Sequence, residues 1–175
     1  RSHGGEDVGA LCCRHAGPGD SFVLIHTLMS WYGREPRVVL KNTLAWDPMI
    51  DVVLHRIPAR FITPAGGVGL EEQIADLASG LDENDAFVIF PEGGRSPDGL
   101  GQTFKPGSTF LAIKLLCPIV PVHIDGTDRV LPKGSSMPRR HGVTVTFGEA
   151  IVPAADDDPR RLTERLERSV DALAE

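Results

Sequence analysis

Four consecutive apolar residues, Phe87-Val88-Ile89-Phe90, constrain the fold of this chain more than any other segment. A strand without polar residues is covered on both faces, as in sheets of parallel strands with helices packed against them. Shorter apolar runs alternate with helical patterns elsewhere, which predicts an α/β sandwich of strands and helices. The predicted strands are residues 10–13, 37–41, 60–63, 86–90, 119–124 and 142–147.

Three helices are predicted from apolar spacing. Two carry a single apolar stripe, at residues 70–81 and 162–173, and the second follows Asp158-Pro159, a pair typical of a capped helix start. The third, residues 20–32, is apolar on nearly every side, so we expect it to be buried. The alternative is that part of it contacts lipid.

Length and composition indicate one globular domain, residues 1–175, because 41% of the 175 residues are hydrophobic and 24% charged. The three cysteines are odd in number and form no C-x-x-C pair, which favours a reducing compartment. The longest uncharged apolar stretch, residues 21–33, would reach roughly 20 Å as a helix, short of the ~30 Å hydrocarbon layer. Since the chain starts with Arg1, we expect an upstream segment.

Charge is distributed unevenly around a net value of −6. Residues 93–148 contain seven bases and three acids, whereas residues 61–92 contain seven acids and no base. A net-acidic chain is a poor candidate for nucleic-acid binding. The basic middle is suited to a small anion, although a solvated mixed surface explains the asymmetry equally well.

His15 and Asp20 form the first candidate for chemistry. A Gly-Pro-Gly turn separates an apolar strand from a helix start, so an imidazole and a carboxylate are brought back towards each other. A carboxylate bonded to one ring nitrogen orients a histidine that acts as a general base. The alternative is structural: Asp20 caps the helix and His15 ends the strand.

The second candidate is the loop Phe90-Pro91-Glu92-Gly93-Gly94-Arg95-Ser96, which leaves the most apolar strand. Ligands of open α/β sheets bind outside the carboxyl ends of strands. Glycines allow close backbone approach, and an arginine matches phosphate oxygens in pairs. A plain turn with a surface arginine is the simpler interpretation.

Two lysines and a proline complete the candidates. Lys105 precedes a predicted helix start, where the dipole favours anions, and Lys41 ends its own strand. Pro121, within the motif Val120-Pro121-Val122, predicts a sheet edge or a bulge near a site.

These blocks together resemble the glycerolipid acyltransferase family, which includes the acylglycerol-phosphate acyltransferases. His15 and Asp20 match its H-x-x-x-x-D block, the loop from Phe90 to Ser96 its F-P-E-G-x-R-S block, and Val120-Pro121-Val122 its V-P-V block. The blocks occur in the family's order. The resemblance covers residues 10–174.

The resemblance implies an α/β fold with a two-layer mixed sheet flanked by helices. It also implies transfer of a fatty acyl group from acyl-CoA or acyl carrier protein to the hydroxyl of a lysophospholipid, most simply 1-acylglycerol-3-phosphate. His15 would deprotonate that hydroxyl, with Asp20 orienting His15, and neither a metal nor another cofactor is needed. The acceptor site would consist of Glu92, Gly93, Gly94, Arg95, Lys41 and Lys105. The expected location is the cytoplasmic face of a membrane, peripheral or anchored through a segment outside this chain.

Three departures from the family pattern concern the acceptor site. Arg14 stands where many members have asparagine, and Gly94 where threonine is usual. The family's G-x-x-F-I-x-R block is only partly present, because Phe61-Ile62 lacks the following arginine. Arg60 and Arg56 are the candidates to replace it. A different lipid or polyol acceptor, or a non-catalytic lipid-binding module, therefore stays open.

Two other interpretations, a zinc site and a serine hydrolase, fit the sequence less well. A zinc site at Cys12, Cys13 and His15 lacks a fourth ligand, and neighbouring strand residues point to opposite faces. A serine hydrolase would need a G-x-S-x-G elbow, which does not occur.

Overall fold

A six-stranded sheet organises the part of the chain that the computed structural model describes. Described are residues 9–14, 19–41, 59–62, 69–93, 101–130, 137 and 139–175, with the backbone alone at residues 40–41, 59–62 and 70–71. The strands are β1 (Gly9–Cys13), β2 (Glu35–Lys41), β3 (Ala59–Ile62), β4 (Asp85–Ile89), β5 (Ile119–Asp125) and β6 (Thr144–Phe147). Their order across the sheet is β3-β2-β4-β1-β5-β6.

Strand direction makes the sheet mixed, as predicted. The first five strands are parallel to their neighbours, and β6 alone runs antiparallel, to β5. All five residues of β4 are buried, because β2 and β1 flank it and side chains pack on both faces. The alternation of Val145 and Phe147 with threonines correctly predicted β6 at an edge.

Helices pack on both faces of this sheet. They are α1 (Asp20–Thr27) with a π-helical turn (Leu28–Tyr32), α2 (Leu70–Ala78), α3 (Gly107–Leu115), α4 (Thr127–Val130) and α5 (Pro159–Ala172). One core joins Ala10 and Cys12 of β1 to apolar residues of α2, α3 and α5. The other joins Leu11 and Cys13 to α1. The predicted α/β fold with flanking helices is thus confirmed, but the expected two layers are three, because helices cover both faces of the sheet.

Helix α5 begins where its sequence predicts. The Asp158 carboxylate accepts hydrogen bonds from the backbone N–H groups of Arg160 (2.7 Å) and Arg161 (3.1 Å), and Pro159 occupies the first turn. These bonds lower the pKa of Asp158. Leu162, Leu166 and Val170 then bury one side of the helix against the sheet.

The expected burial of residues 20–32 is wrong for half of that segment. Leu24, Ile25 and Leu28 are buried, but four large apolar side chains are exposed. We call them the exposed apolar residues of the α1 segment: Phe22 of α1, and Met29, Trp31 and Tyr32 of the π-helical turn, between 48% and 72% exposed. The helix lies on the outside of the sheet and has no layer above it in the described part of the chain. The apolar composition of residues 20–32 could not show whether one side of this helix is covered or both.

Pro121 marks a shift in pairing, as its position in a strand predicted. Val122 pairs with Phe147, whereas Ile119 pairs with Ile151, so residues 148–150 contain one residue more than the opposing segment. Proline has no N–H for the ladder, and its carbonyl accepts from Gly148 N at 2.8 Å. The irregularity is a bulge beside the edge strand.

Among the described residues, no helix combines the length and the apolar character that crossing a bilayer requires.

Candidate functional site

The carboxyl ends of the parallel strands bring three candidate segments to one edge of the sheet. Arg14 follows β1, Glu92 follows β4, and Thr127 follows β5. Because β4, β1 and β5 are adjacent and parallel, these segments are neighbours in space. Ligands of open α/β sheets bind at this edge, so the site lies where the fold predicts it.

Asp20 is buried at this edge and receives a hydrogen bond from a residue distant in sequence. Its side chain is 0% exposed, and the hydroxyl of Thr127 donates to its Oδ1. The N-cap of α1 is Gly19, without a side-chain cap, so the interpretation of Asp20 as a helix cap is wrong. A buried carboxylate oriented by a buried hydroxyl is suited to orienting another group.

Two glycines place Thr127. Gly126 adopts a φ of +95°, and a Cβ there would collide with the carbonyl oxygen of Gly142. Gly19, directly before α1, packs against the Thr127 side chain, with a Cβ position 3.6 Å from the Thr127 Cβ. The turn after β5 therefore packs against the start of α1.

Glu92 lies in a tight turn after β4 and is 1% exposed. Gly93 N donates to the Phe90 carbonyl (2.9 Å), and its φ of +70° favours glycine. Arg14 Nη1 lies 3.2 Å from Glu92 Oε1. Glu92 Oε2 is buried and has no hydrogen-bond partner among the described residues.

Lys105 is held beside the Glu92 turn by its backbone. Its N–H donates to the Pro91 carbonyl at 2.9 Å, while its side chain is exposed and Phe104 before it is buried. This places a cation close to the predicted acceptor loop. The prediction that Lys105 contacts the acceptor's phosphate is compatible with this position.

Several predicted site residues cannot be placed. His15, Gly94 and Arg95 lie outside the described residues, as do Arg56 and the part of the second block after Ile62. Lys41 is the last residue of β2, described as backbone only. It ends at the same edge as Glu92, because β2 is parallel to β4.

Cys13, the last residue of β1, is buried and is close enough to Asp20 and Glu92 for both charges to act on its thiol. Burial raises the pKa of its thiol, and the charges of Asp20, Cys12 and Glu92 raise it further. Burial likewise raises the pKa of Cys12, and that of Cys117 to about 11. The three thiols are therefore protonated near neutral pH and are poor nucleophiles.

Cys12 and Cys13 are not placed to bind one zinc ion together. Cys12 belongs to the core on one face of the sheet and Cys13 to the core on the other. No group of three metal-ligating side chains occurs in the described part of the chain.

Sequence reasoning missed Thr127 because nothing near it in the chain marks it. The available signal was its position: it follows Asp125-Gly126 at the carboxyl end of a strand adjacent to β1. Arg14 was noted only as a departure from a pattern, yet it contacts Glu92 directly. Both contacts depend on strand order, which the sequence does not state.

Comparison with known families finds one match. A family model described as Acyltransferase matches residues 7–125, which includes β1 to β5 and the site segments of Asp20, Glu92 and Lys105, whereas Thr127 lies just beyond the match.

Curated relatives are 1-acyl-sn-glycerol-3-phosphate acyltransferases of plants. The chain is 30% identical over 125 residues to the chloroplastic enzyme LPAT1 of Arabidopsis thaliana, covering 70% of this chain and 34% of that protein. It is 29% identical over 148 residues to the enzyme of Limnanthes alba, covering 82% and 49%. The chain thus spans about a third to a half of the length of these relatives.

A solved structure has the same fold. The crystal structure of the 1-acyl-sn-glycerophosphate acyltransferase PlsC from Thermotoga maritima superimposes with a TM-score of 0.72 at 24% identity. The match covers 98% of this chain and 67% of the other.

Proposed function

This chain belongs to the Acyltransferase family, and we propose from that membership that it transfers a fatty acyl group to the hydroxyl of a lysophospholipid. The proposed acceptor is 1-acylglycerol-3-phosphate, which would become phosphatidic acid. The names of the plant relatives support this acceptor. The proposed donor is acyl-CoA or acyl carrier protein.

The observation that carries the proposal is the buried carboxylate of Asp20, oriented by Thr127, five residues after His15 and at the start of α1. In the proposed reaction His15 removes the proton from the acceptor hydroxyl. The oxygen then attacks the thioester carbonyl, the carbon–sulfur bond breaks, and the imidazolium returns its proton to the departing thiolate. Asp20 stabilises the imidazolium while it exists.

Direct attack, without an acyl-enzyme, agrees with the chemistry of the cysteines. All three are buried and free, and their thiols have raised pKa values. A covalent route would require an activated nucleophile, and these thiols lack the exposed, electropositive setting that activates one.

The proposed acceptor site combines the Glu92 turn with cations around it. Glu92, Gly93 and Gly94 would shape the pocket, and Arg95, Lys41 and Lys105 would bind the phosphate. The position of Lys105 beside Pro91 supports its part in this set. A charge-assisted hydrogen bond to phosphate contributes about 1.5–3 kcal/mol, so two or three cations account for a preference for phosphorylated acceptors.

The test is thiol release from acyl-CoA by the purified chain, with lysophosphatidic acid, with glycerol or with no acceptor. We expect release to rise at least tenfold with lysophosphatidic acid. Equal release without acceptor would indicate a thioesterase, and a preference for glycerol a polyol acyltransferase. No release under any condition would favour a non-catalytic lipid-binding module.

We propose that the protein acts at the cytoplasmic face of a membrane and that the exposed apolar residues of the α1 segment contact the bilayer surface. The acceptor is a membrane lipid, and Trp31 and Tyr32 are residue types that favour the headgroup region. The free cysteines support a reducing compartment. The relatives from Brassica napus and Arabidopsis thaliana are named as chloroplastic.

Flotation with phospholipid vesicles checks this surface. We expect Phe22→Ser/Trp31→Ser to weaken vesicle binding at least tenfold, because each side chain would lose roughly 150 Å² of apolar contact with lipid. Val152→Ser is the matched control, since Val152 is 70% exposed and lies outside α1. Binding that the double substitution leaves unchanged would exclude this helix as the contact.

A further inference from the structure

Arg14, the residue before His15, is bonded on every side of its guanidinium. Nε donates to Asp171 Oδ1 (2.7 Å), and Nη2 to Asp171 Oδ2 (3.1 Å) and Glu167 Oε1 (3.2 Å). Nη1 donates to Glu92 Oε1 (3.2 Å) and to the Gln102 carbonyl (2.9 Å). These five bonds equal the number of N–H donors that a guanidinium possesses. We call Arg14 and its four partners, Glu92, Gln102, Glu167 and Asp171, the Arg14 cluster.

We propose that Arg14 is a positioning residue through which helix α5 holds the catalytic edge of the sheet in place. It fixes two things at once: the Glu92 carboxylate and the end of β1, from which the chain continues directly to His15. The inference rests on the proposed function and adds residues of α5 to the site that performs it.

The surroundings of Arg14 make it unsuitable for binding the acceptor's phosphate itself. Three carboxylates contact the guanidinium, so the local charge is negative and repels an anion. The hydrogen bonds that Arg14 donates to Asp171 raise the pKa of its guanidinium, which is therefore always charged. The Phe104 ring lies 4.8 Å from the guanidinium carbon and covers one of its faces.

Glu92 depends on Arg14 for its orientation. Arg14 supplies the hydrogen bond to Oε1, whereas Oε2 has no partner in the described part of the chain. A carboxylate that is 1% exposed and held through one oxygen presents the other in a fixed direction. Losing Arg14 would leave a buried charge unpaired and free to turn, which is costly for both stability and geometry.

Helix α5 lies beyond the segment that the family model matches, which ends at residue 125. Its apolar side packs on the sheet through Leu166 and Val170, and its last turns present Glu167 and Asp171 to Arg14. The anchor for Glu92 is therefore built by the C-terminal helix, outside the part of the chain that the family model matches.

The experiment compares Arg14→Ala and Asp171→Asn with Arg37→Ala as the matched control. Arg37 Nε bonds the buried Asp85 Oδ1 at 2.8 Å, at the opposite end of β4 from Glu92. All three substitutions remove an ion pair, but only the first two touch the Arg14 cluster. We expect kcat to fall at least tenfold in Arg14→Ala and about threefold in Asp171→Asn, with the KM for the acyl donor changed less than twofold. Arg37→Ala should lower the melting temperature and leave kcat unchanged.

Chemical rescue separates positioning from general stability. Guanidinium chloride at 1–20 mM, far below denaturing concentrations, should restore part of the activity of Arg14→Ala and none of that of Arg37→Ala. A cavity of about 280 Å³ beside Arg14 and Asp171 gives the ion a route to the vacated position. If Arg14→Ala does not fold, Asp171→Asn, whose side chain is 52% exposed in the parent protein, decides the question.

The proposal is overturned if Arg14→Ala and Asp171→Asn keep the parental kcat, or if Arg37→Ala lowers kcat to the same extent. Should the parent chain release no thiol at all, the proposed function fails, and hydrogen exchange then tests the coupling separately. Asp171→Asn should accelerate exchange of the Gly93 amide and leave the Asp85 amide unchanged. Equal rates at Gly93 in both proteins would refute the coupling.

Discussion

His15→Ala is expected to lower the acceptor-dependent release of thiol from acyl-CoA by a factor of about 100 or more. A positioned general base contributes ~10²–10⁴-fold to a reaction of this kind, and alanine leaves only the contribution of substrate binding. Because the base acts in the transition state, the loss should appear in kcat with little change in the KM for the acceptor. The measurement is steady-state kinetics with lysophosphatidic acid.

The matched control is His26→Ala. His26 is an exposed residue of α1 whose ring contacts Ser30 at 3.2 Å, and no proposed step involves it. It should keep the parental rate. Parental activity in His15→Ala would refute His15 as the base, and residual release that is independent of acceptor would indicate hydrolysis.

Asp20→Asn should produce the second large loss, a factor of about 100 in kcat with the fold retained. Asparagine has the shape of aspartate and still accepts the hydrogen bond from Thr127, so the buried site remains filled. It lacks the negative charge that stabilises an imidazolium, and its amide can stabilise the wrong tautomer of His15. Steady-state kinetics would measure the loss in kcat, and thermal unfolding would check that the fold is retained.

Thr127→Val gives a graded comparison in the same assay. Valine keeps the volume but removes the hydroxyl that donates to Asp20, at a cost of about 1.5–3 kcal/mol in unfolding free energy for a bond to a charged group. We expect kcat to fall about tenfold, because Asp20 keeps its charge and loses part of its orientation. A full rate in Asp20→Asn would show that the carboxylate has no part in the reaction.

The fold was predictable where one residue pattern has one physical solution. The unbroken apolar run at Phe87 to Phe90 required a strand covered on both faces, and β4 lies inside the sheet. Alternating Val145 and Phe147 required a strand with one covered side, and β6 is the edge. Asp158 before a proline supplies acceptors for unpaired N–H groups, and α5 starts there.

Strand order was not predictable, and the site depends on it. The carboxyl ends of parallel strands lie on one side of a sheet whichever strands are neighbours. The sequence could therefore place Glu92 and Asp20 on that side. It could not show that β5 lies next to β1, which is what brings Thr127 to Asp20. Nor could it assign partners to Arg14, since Asp171 is separated from it by 157 positions.

The exposure of α1 shows a limit of a different kind. An all-apolar helix is equally compatible with a covered position in a large core and with a surface that meets another apolar phase. Which of the two occurs depends on how many layers the rest of the chain supplies. In the described structure α1 is the outermost layer, and Trp31 is 72% exposed.

The bond between Arg14 and Asp171 also sets an order of events during protein synthesis. Arg14, directly after β1, leaves the ribosome 157 residues before Asp171. Contacts between such distant positions form late, because the intervening loop must first be closed at an entropic cost. A nascent chain that has completed β1, β4 and β5 still lacks the anchor for Glu92. The full catalytic rate should therefore be reached only after α5 has been synthesised and has packed on the sheet.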